Sequence, residues 1–557
     1  MSVYCIFDRQ VFKFSSFQTS NHLPPCSSRH LVESLASEQP ARPVSPADHA
    51  RGNATRRFPH AAFAPRQHHH RRSQPCEYYW MPVAATTDTA IGHSATASAR
   101  ERAAAWYSYS YPYPYPYPSP SPPENEAEHS EAQIQTVDFP TILFLDPVLL
   151  QHGQVDAVRA VASIPQHVLQ LLGSLDELRV TAARFFEHIH KWMPFISKKR
   201  FYDLYLQPSF QSRPDVALLL LALKLITTFP PAGSRSPRTA LYHATKHFSL
   251  EVQDSFSILV LQAGLLVALY ELGHGIYPAA YLSIGTCARY AHALGISVSR
   301  TVPTTRVLTL VEVEERRRVW WAIVILDRFV SIGCPGRPFA TADPRLDDLL
   351  PADDTAFDQG TVRLDDISAL SSPMTGHMSK FALLCQAARL LGQVLGYLSS
   401  GSAGQDDVRM QLDRTLQSML AAALNVDCPD YDQITFVYSA LLALYTPWLS
   451  SDGAKDFNSD CSRQARVVVQ QITDRISANL IESQCFVGRD PEDLSPWGLY
   501  FAYRICGVHM RPTRRAPHGA EVLRSLREAI QTVRVRWNVA GVYLQLLEAQ
   551  AAIHLGA

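Results

Sequence analysis

The 557-residue sequence has no excess of either charge: 51 lysines and arginines stand against 51 aspartates and glutamates. No global field draws a polyanion to it, so any DNA contact has to come from a local basic patch or a dedicated module. None of its ten cysteines forms a C-x-x-C pair; they are scattered as Cys5, Cys26, Cys76, Cys287, Cys334, Cys385, Cys428, Cys461, Cys485 and Cys506. Their surroundings are mostly apolar helical segments, which suits buried free thiols in a reducing compartment better than a disulfide framework. The most membrane-like run, "FSILVLQAGLLVALY" from Phe256 to Tyr270, is too short for a span and holds Gln262, so it reads as a buried core helix. Asp8 and Arg9 interrupt the only apolar run near the start, so no signal peptide is expected. The chain is expected to be soluble and intracellular, with no membrane partner.

Catalytic constellations are missing as well. There is no G-x-S-x-G, no G-x-x-x-x-G-K-[ST], no G-x-G-x-x-G and no H-E-x-x-H. His243 and His247 sit one helical turn apart, but a zinc site needs further ligands. The His68–His70 tract reads as a solvated stretch. An all-helical terpene synthase is the serious enzyme alternative, and it needs D-D-x-x-D on a continuous helix to hold magnesium. Asp347-Asp348 meets Pro351 where the third acid belongs, and Asp353-Asp354 reaches Phe357. In "TDRISANLIE", Asp474 and Ser477 fit the second magnesium motif, but Ile481 takes the acidic place. Glu482 follows one residue late, turned about 100° away on a helix. No catalytic or cofactor-binding residue is assigned, and the chain is expected not to be an enzyme.

What the sequence does hold divides in two. Residues 1–135 are rich in Ser, Pro, His and Arg and end in "SYSYPYPYPYPSPSPP" (Ser108–Pro123), where every second residue of the Tyr-Pro tract lacks a backbone donor. This region is expected to be disordered. Residues 136–557 carry helical periodicity with no convincing alternating strands, and hydrophobic residues make up 46% of the chain, enough for a large core. Ser174 and Glu177 open "SLDELRVTAARFFEHIHKWM" at capping-box spacing. Further helices are expected near 214–228, 238–252, 256–272, 276–293, 308–331, 374–399, 405–425, 431–449, 459–483, 494–510 and 518–555. The fold class is all-α: a large, irregular helical domain with no fixed repeat.

One stretch stands out, "EVEERRRVWWAIVILDRFVSIGCPGRPFA" (Glu312–Ala340). Glu312 lies four residues before Arg316, and Glu314 four before Arg318, the stabilising order for surface ion pairs. Val319, Ile323 and Leu326 make an apolar stripe, with Trp320 beside it, and Gly333 and Pro335 are expected to end the helix. The order Glu314 (or Glu315), Arg317, Arg318, Trp320, Trp321, Leu326, Asp327, Arg328, then Gly336, Arg337 and Pro338 resembles the regulatory middle homology domain of fungal zinc-cluster transcription factors. Leu350-Pro351 closes the following acidic run as in that family. "FFEHIHKWMPFISKKRFYDLY" resembles the family's entry segment through Phe186, His190, Trp192, Pro194 and Phe201. "YPAAYLSIGTCARYAHALGI" matches its Gly285, Arg289, Leu294 and Gly295 pattern, and "SKFALLCQAARLLGQVLGYL" resembles a later helix. The likeness covers roughly residues 170–510.

The resemblance implies a nuclear transcription regulator whose helical domain senses or transmits a signal. It also implies partners among the transcription machinery or co-regulators, with a homodimer allowed. A family prior, not a residue, favours control of a secondary-metabolite biosynthetic gene cluster. A scaffold or co-repressor without DNA contacts is the third reading. The family's zinc cluster uses six cysteines, C-x2-C-x6-C twice, to hold a reading helix. Cys5, Cys26 and Cys76 cannot make it, so no zinc or other cofactor is assigned, and promoter DNA is a partner only through a zinc-cluster module upstream.

The first hundred residues carry 11 Lys and Arg against 6 Asp and Glu, an excess that supports only weak, salt-sensitive association with DNA. This chain is therefore expected not to bind specific duplex DNA with nanomolar affinity. An anisotropy titration on promoter fragments at about 150 mM salt with added zinc checks it. Tight binding lost on chelation would reveal a metal-organised module among the scattered cysteines.

Overall fold

A computed structural model describes residues 137–145, 157–158, 163–207, 209, 212–229, 236–296, 308–372, 378–400, 406–424, 431–450, 460–482, 491–511 and 519–556. The expected disordered region, residues 1–135, lies outside the described residues. Two-residue strands Val137–Asp138 (β1) and Ala157–Val158 (β2) pair in parallel; the rest of the regular structure among the described residues is helical.

Short helices lead in: Phe139–Leu145 (α1), Gln166–Leu172 (α2) and Leu175–Arg184 (α3). Both arms of the capping box between Ser174 and Glu177 are present at the start of α3. The helical pattern expected through Met193 loosens into a wider turn at Phe185–Ile189, and the chain leaves it towards Pro194. The first half of the domain is Pro214–Thr227 (α4), Ala240–Val252 (α5), Ile258–Gly273 (α6), Ala279–Ala293 (α7) and Leu310–Val330 (α8). Asp354–Gln359 (α9) is a short connector. The second half is Lys380–Ser399 (α10), Asp406–Leu424 (α11), Tyr431–Ser450 (α12), Asp460–Glu482 (α13), Gly498–His509 (α14), Gly519–Val533 (α15) and Val539–Gly556 (α16).

Helices pack mainly on neighbours close in sequence: α6 lies against α4, α7 and α8, α10 bridges α8 and α12, and α14 joins α12 to α15 and α16. α4 and α6 are apolar on every side and buried almost throughout, which is the sequence of a core helix rather than a surface one. α10 has the length and hydropathy of a membrane span, but 67% of that window is buried inside the protein, so it reads as a core helix too. Around α8, one continuous apolar core runs from Val168 to Leu547.

Two expectations about helix ends need correction. The helix expected over 518–555 breaks between α15 and α16, because Arg536 and Trp537 turn inward there. The Arg536 guanidinium donates to the Ile226 carbonyl and lies 4.0 Å from the Trp537 ring centroid, while the indole N–H of Trp537 donates to Leu494 O at 2.7 Å. Gly273 makes room for that indole: a Cβ on it would sit 2.2 Å from the ring. Tertiary bonds override a pattern that would otherwise run on. α8 also stops at Val330, before Gly333 and Pro335; the positive φ that needs glycine is at Gly336 (93°).

Trp320 is 5% exposed, with its ring edge-on to His292, and Trp321 is fully enclosed, its N–H donating to Leu349 O at 2.9 Å. Trp320→Ala is expected to lower the unfolding free energy by about 3–5 kcal/mol. Arg337 is half-buried with its guanidinium 5.2 Å from the Tyr281 ring centroid, and Arg337→Ala should cost less than about 1 kcal/mol. Urea titrations of both variants check this, and equal losses would contradict the assignment.

Candidate functional site

The acidic and basic residues of α8 are not a solvated face. Arg318 is fully buried; its Nε donates to Glu314 Oε1 at 2.8 Å, Nη1 to Asp354 Oδ1 at 2.8 Å and to Pro194 O at 3.1 Å, and Nη2 to Ala352 O at 2.7 Å. Phe357 covers its plane, with the ring centroid 4.1 Å away. Glu314 also accepts from Ala352 N–H at 2.8 Å and pairs with Arg317. The neighbouring Glu315, buried as well, accepts from Ser197 N–H at 2.9 Å and Gln262 Nε2 at 3.0 Å and pairs with Arg200. Thus Glu314 and Arg318 do pair, but in the interior rather than on the surface. The expected Glu312–Arg316 pair is replaced: Glu312 completes the capping box with Thr309 and accepts from Arg200 Nη2 at 3.0 Å.

Nearer the C-terminus of α8 a second clamp holds the loop that follows. Asp327 accepts from Arg328 Nη1 at 2.8 Å, from the backbone N–H of Ala340 and Thr341 at 3.0 and 2.9 Å, and from Thr341 Oγ1 at 2.8 Å. Arg328 Nη2 donates to Ala342 O at 3.0 Å, and the guanidinium lies 4.0 Å from the Phe339 ring centroid. Burial draws the Arg328 pKa below its ordinary value despite Asp327 and Asp343. Gly392 on α10 is required here, since a Cβ would come within 2.6 Å of Arg328 Nε.

The clamped loop is one wall of an open cleft of about 630 Å³. α7 supplies Tyr281, Gly285, Arg289 and Tyr290; the turn before α6 supplies Asp254 and Phe256; the loop supplies Pro338 and Phe339. Tyr281 O–H donates to Pro338 O at 2.8 Å and Tyr290 O–H to Gln253 O at 2.9 Å, so each hydroxyl ties α7 to a neighbouring segment. Burial pushes the Tyr290 phenol up to about 12, so it stays protonated at neutral pH. Phe256 holds a left-handed backbone (φ 52°), uncommon for a bulky residue, with Phe144 edge-on at 5.8 Å. A second cavity, about 700 Å³, carries Lys199, Arg200 and Arg213, but these are already paired with Asp203, Glu312 and Asp215 respectively.

The residues singled out from sequence therefore divide by place. Pro194, Arg317, Arg318, Asp327 and Arg328 form the two clamps, and Trp321 packs beside them. Gly285, Arg289 and Pro338 meet at the cleft. Trp192 packs edge-on against Trp497 and Trp537, Phe201 sits in an aromatic cluster with Phe186, and Gly295 (φ 67°) ends α7 in the left-handed conformation. Sequence reasoning missed Thr341, Tyr281 and Gly392 and weighed Asp354 only as a magnesium ligand; of the missed residues only the glycine inside the apolar helix pattern of α10 carried a signal.

The acids of the synthase-like motif have structural roles: Asp348 accepts from Arg345 N–H at 2.7 Å, Asp353 caps α9, and Asp354 binds Arg318. His247 pairs with Glu251 at 3.1 Å. Among the described residues no group of three or more His, Cys, Asp or Glu is placed to hold a metal. Cys287, Cys385 and Cys506 are buried, and burial pushes Cys287 and Cys506 up to about 12 and Cys385 well above its ordinary value. None of these three thiols belongs to a group of ligands placed to hold a metal among the described residues.

The model of the "Fungal specific transcription factor domain" matches residues 182–425, a span that contains both clamps and every lining residue of the cleft except Phe144. "Transcription factor BOA15" of Botryotinia fuckeliana (strain B05.10) is 38% identical over 153 residues, 27% of this chain and 84% of that protein. "Pigment biosynthesis transcriptional activator pigB" of Monascus ruber is 26% identical over 211 residues, 34% of this chain and 38% of its own length. "Transcription factor tazR" of Aspergillus terreus (strain NIH 2624 / FGSC A1156) is 25% identical over 187 residues, 31% of this chain and 28% of its own. The chain thus spans most of the first relative and well under half of the other two. No solved structure matches. Through the helix that carries both clamps and the identity with a relative it nearly spans, the chain belongs to the family of fungal transcription factors built on the fungal specific transcription factor domain.

Proposed function

We propose that this protein acts in the nucleus to control transcription of a limited gene set, and that the set is a biosynthetic gene cluster for a secondary metabolite. The observation that carries the reading is the family match over a span whose charged motif residues are engaged in holding loops. A relative named as a pigment biosynthesis activator supports the choice of pathway. In this reading the helical domain is not catalytic. Its role is to bias a conformational equilibrium that exposes or hides the segments that meet DNA or the transcription machinery. Promoter contact is made through a zinc-cluster module joined to or bound by the chain, not through a metal held by the helical domain. Co-regulator proteins are its direct partners, and self-association into a homodimer fits a regulator of paired sites.

The enzyme alternative makes a different demand. A synthase would need its aspartates free to hold magnesium, whereas Asp353 caps α9 and Asp354 is tied to Arg318.

Disabling the gene is expected to change the transcript levels of a few neighbouring genes, without the build-up of a single unconverted substrate. Transcriptome and metabolite comparison with the parent strain checks it. An unchanged transcriptome alongside one accumulated intermediate, or turnover of prenyl diphosphates by the purified chain with magnesium, would sink the regulator reading.

A further inference from the structure

The cleft beside α7 has a composition that selects its occupant. Five of its fourteen lining residues are aromatic, Phe144, Phe256, Tyr281, Tyr290 and Phe339, contributed by four different segments. Both tyrosine hydroxyls are engaged with backbone carbonyls, so the rings offer the cleft apolar surface rather than a free donor. The volume, about 630 Å³, lies in the range of sites for drug-sized molecules.

Two charged side chains line the same cleft, Arg289 from α7 and Asp254 from the turn before α6. Neither makes a side-chain hydrogen bond or ion pair with another described residue, in contrast to the cations of the second cavity. Arg289 is exposed at the cleft, and a guanidinium in a site with aromatic lining is suited to an anion carried on an aromatic frame, since it binds the charge through directed N–H groups. Asp254 adds an acceptor for a hydroxyl or amine. On the α7 side, Gly285 faces open space, and a Cβ there would meet no atom within 4 Å.

We propose that this cleft binds a drug-sized planar aromatic anion, its rings among Phe256, Tyr281, Tyr290 and Phe339 and its anionic group on Arg289. A donor group on the molecule reaches Asp254. The purpose of such binding, reception of a signal, rests on the regulatory reading above; the binding itself does not.

The probe is 8-anilino-1-naphthalenesulfonate, with N-phenyl-1-naphthylamine as the same ring system lacking the sulfonate. Fluorescence titration of the purified full chain is expected to give saturable one-site binding of both, the sulfonate binding more tightly. Arg289→Gln should weaken the sulfonate about tenfold, the loss of one charge-assisted contact, and leave the neutral amine unchanged. Gly285→Leu should abolish both while the melting midpoint stays the same or rises, because leucine is the better helix former. The proposal is overturned by non-saturable binding, by Arg289→Gln leaving the sulfonate within about twofold of wild type, or by Gly285→Leu binding both probes normally. Saturable binding with an unchanged transcriptome in the disabled strain would keep the cleft and remove the regulator; altered transcripts without probe binding would do the reverse.

Discussion

A guanidinium with no access to water fixes much of this domain. Removing an ion of that size from solvent costs several kcal/mol after relaxation, and only a saturated set of partners offsets it. Arg318 obtains its set from Glu314 one turn back on α8, from the carbonyls of Pro194 and Ala352, and from Asp354 at the start of α9. These partners come from segments far apart in sequence, so the charge is satisfied only when the entry segment, α8 and the loop leading to α9 have assembled together. Leaving any one out exposes the site to the full penalty of a half-paired buried ion, about 3–5 kcal/mol. The pair is therefore a device for a unique arrangement more than a source of net stability.

Asp327 repeats the logic near the other end of the same helix. Its carboxylate gathers a side-chain guanidinium, a hydroxyl and two backbone N–H groups, so the loop after α8 cannot leave without stranding donors in the interior. Asp327 follows Arg318 by nine positions, which places the clamps about 14 Å apart along one rigid helix. Any shift of α8 relative to its neighbours loads both.

The all-α class and most helix positions were legible because helical period and capping chemistry are local: Ser174 and Glu177 announce a start that the structure reproduces in both arms. Charge pairing was legible only as spacing. The interval from Glu314 to Arg318 predicts contact but cannot tell a wet pair from a dry one, since burial depends on Pro194 and Asp354 arriving from elsewhere. The same limit explains Glu312, whose partner Arg200 precedes it by more than a hundred residues. The break between α15 and α16 was illegible for the same reason: Arg536 and Trp537 fit a helix locally and leave it only for Ile226 and Leu494. Gly285 and Arg289 drew attention through a family pattern, but nothing in their spacing said that they would share a cleft with Pro338.

The position of that cleft matters for how an occupied site would be felt. Phe339 is at once a wall of the cleft and the ring over Arg328, and the next two backbone N–H groups are those held by Asp327. An occupant pressing on Phe339 therefore acts on the clamp itself, and α8 carries both that clamp and the Arg318 network. Packed interiors do not deform smoothly; they hold or they change to a second packing. A ligand shifts such an equilibrium only by its difference in affinity between the two packings. Contact with the clamped loop gives the cleft a means to make that difference, which a pocket lined by rigid helix faces alone would lack.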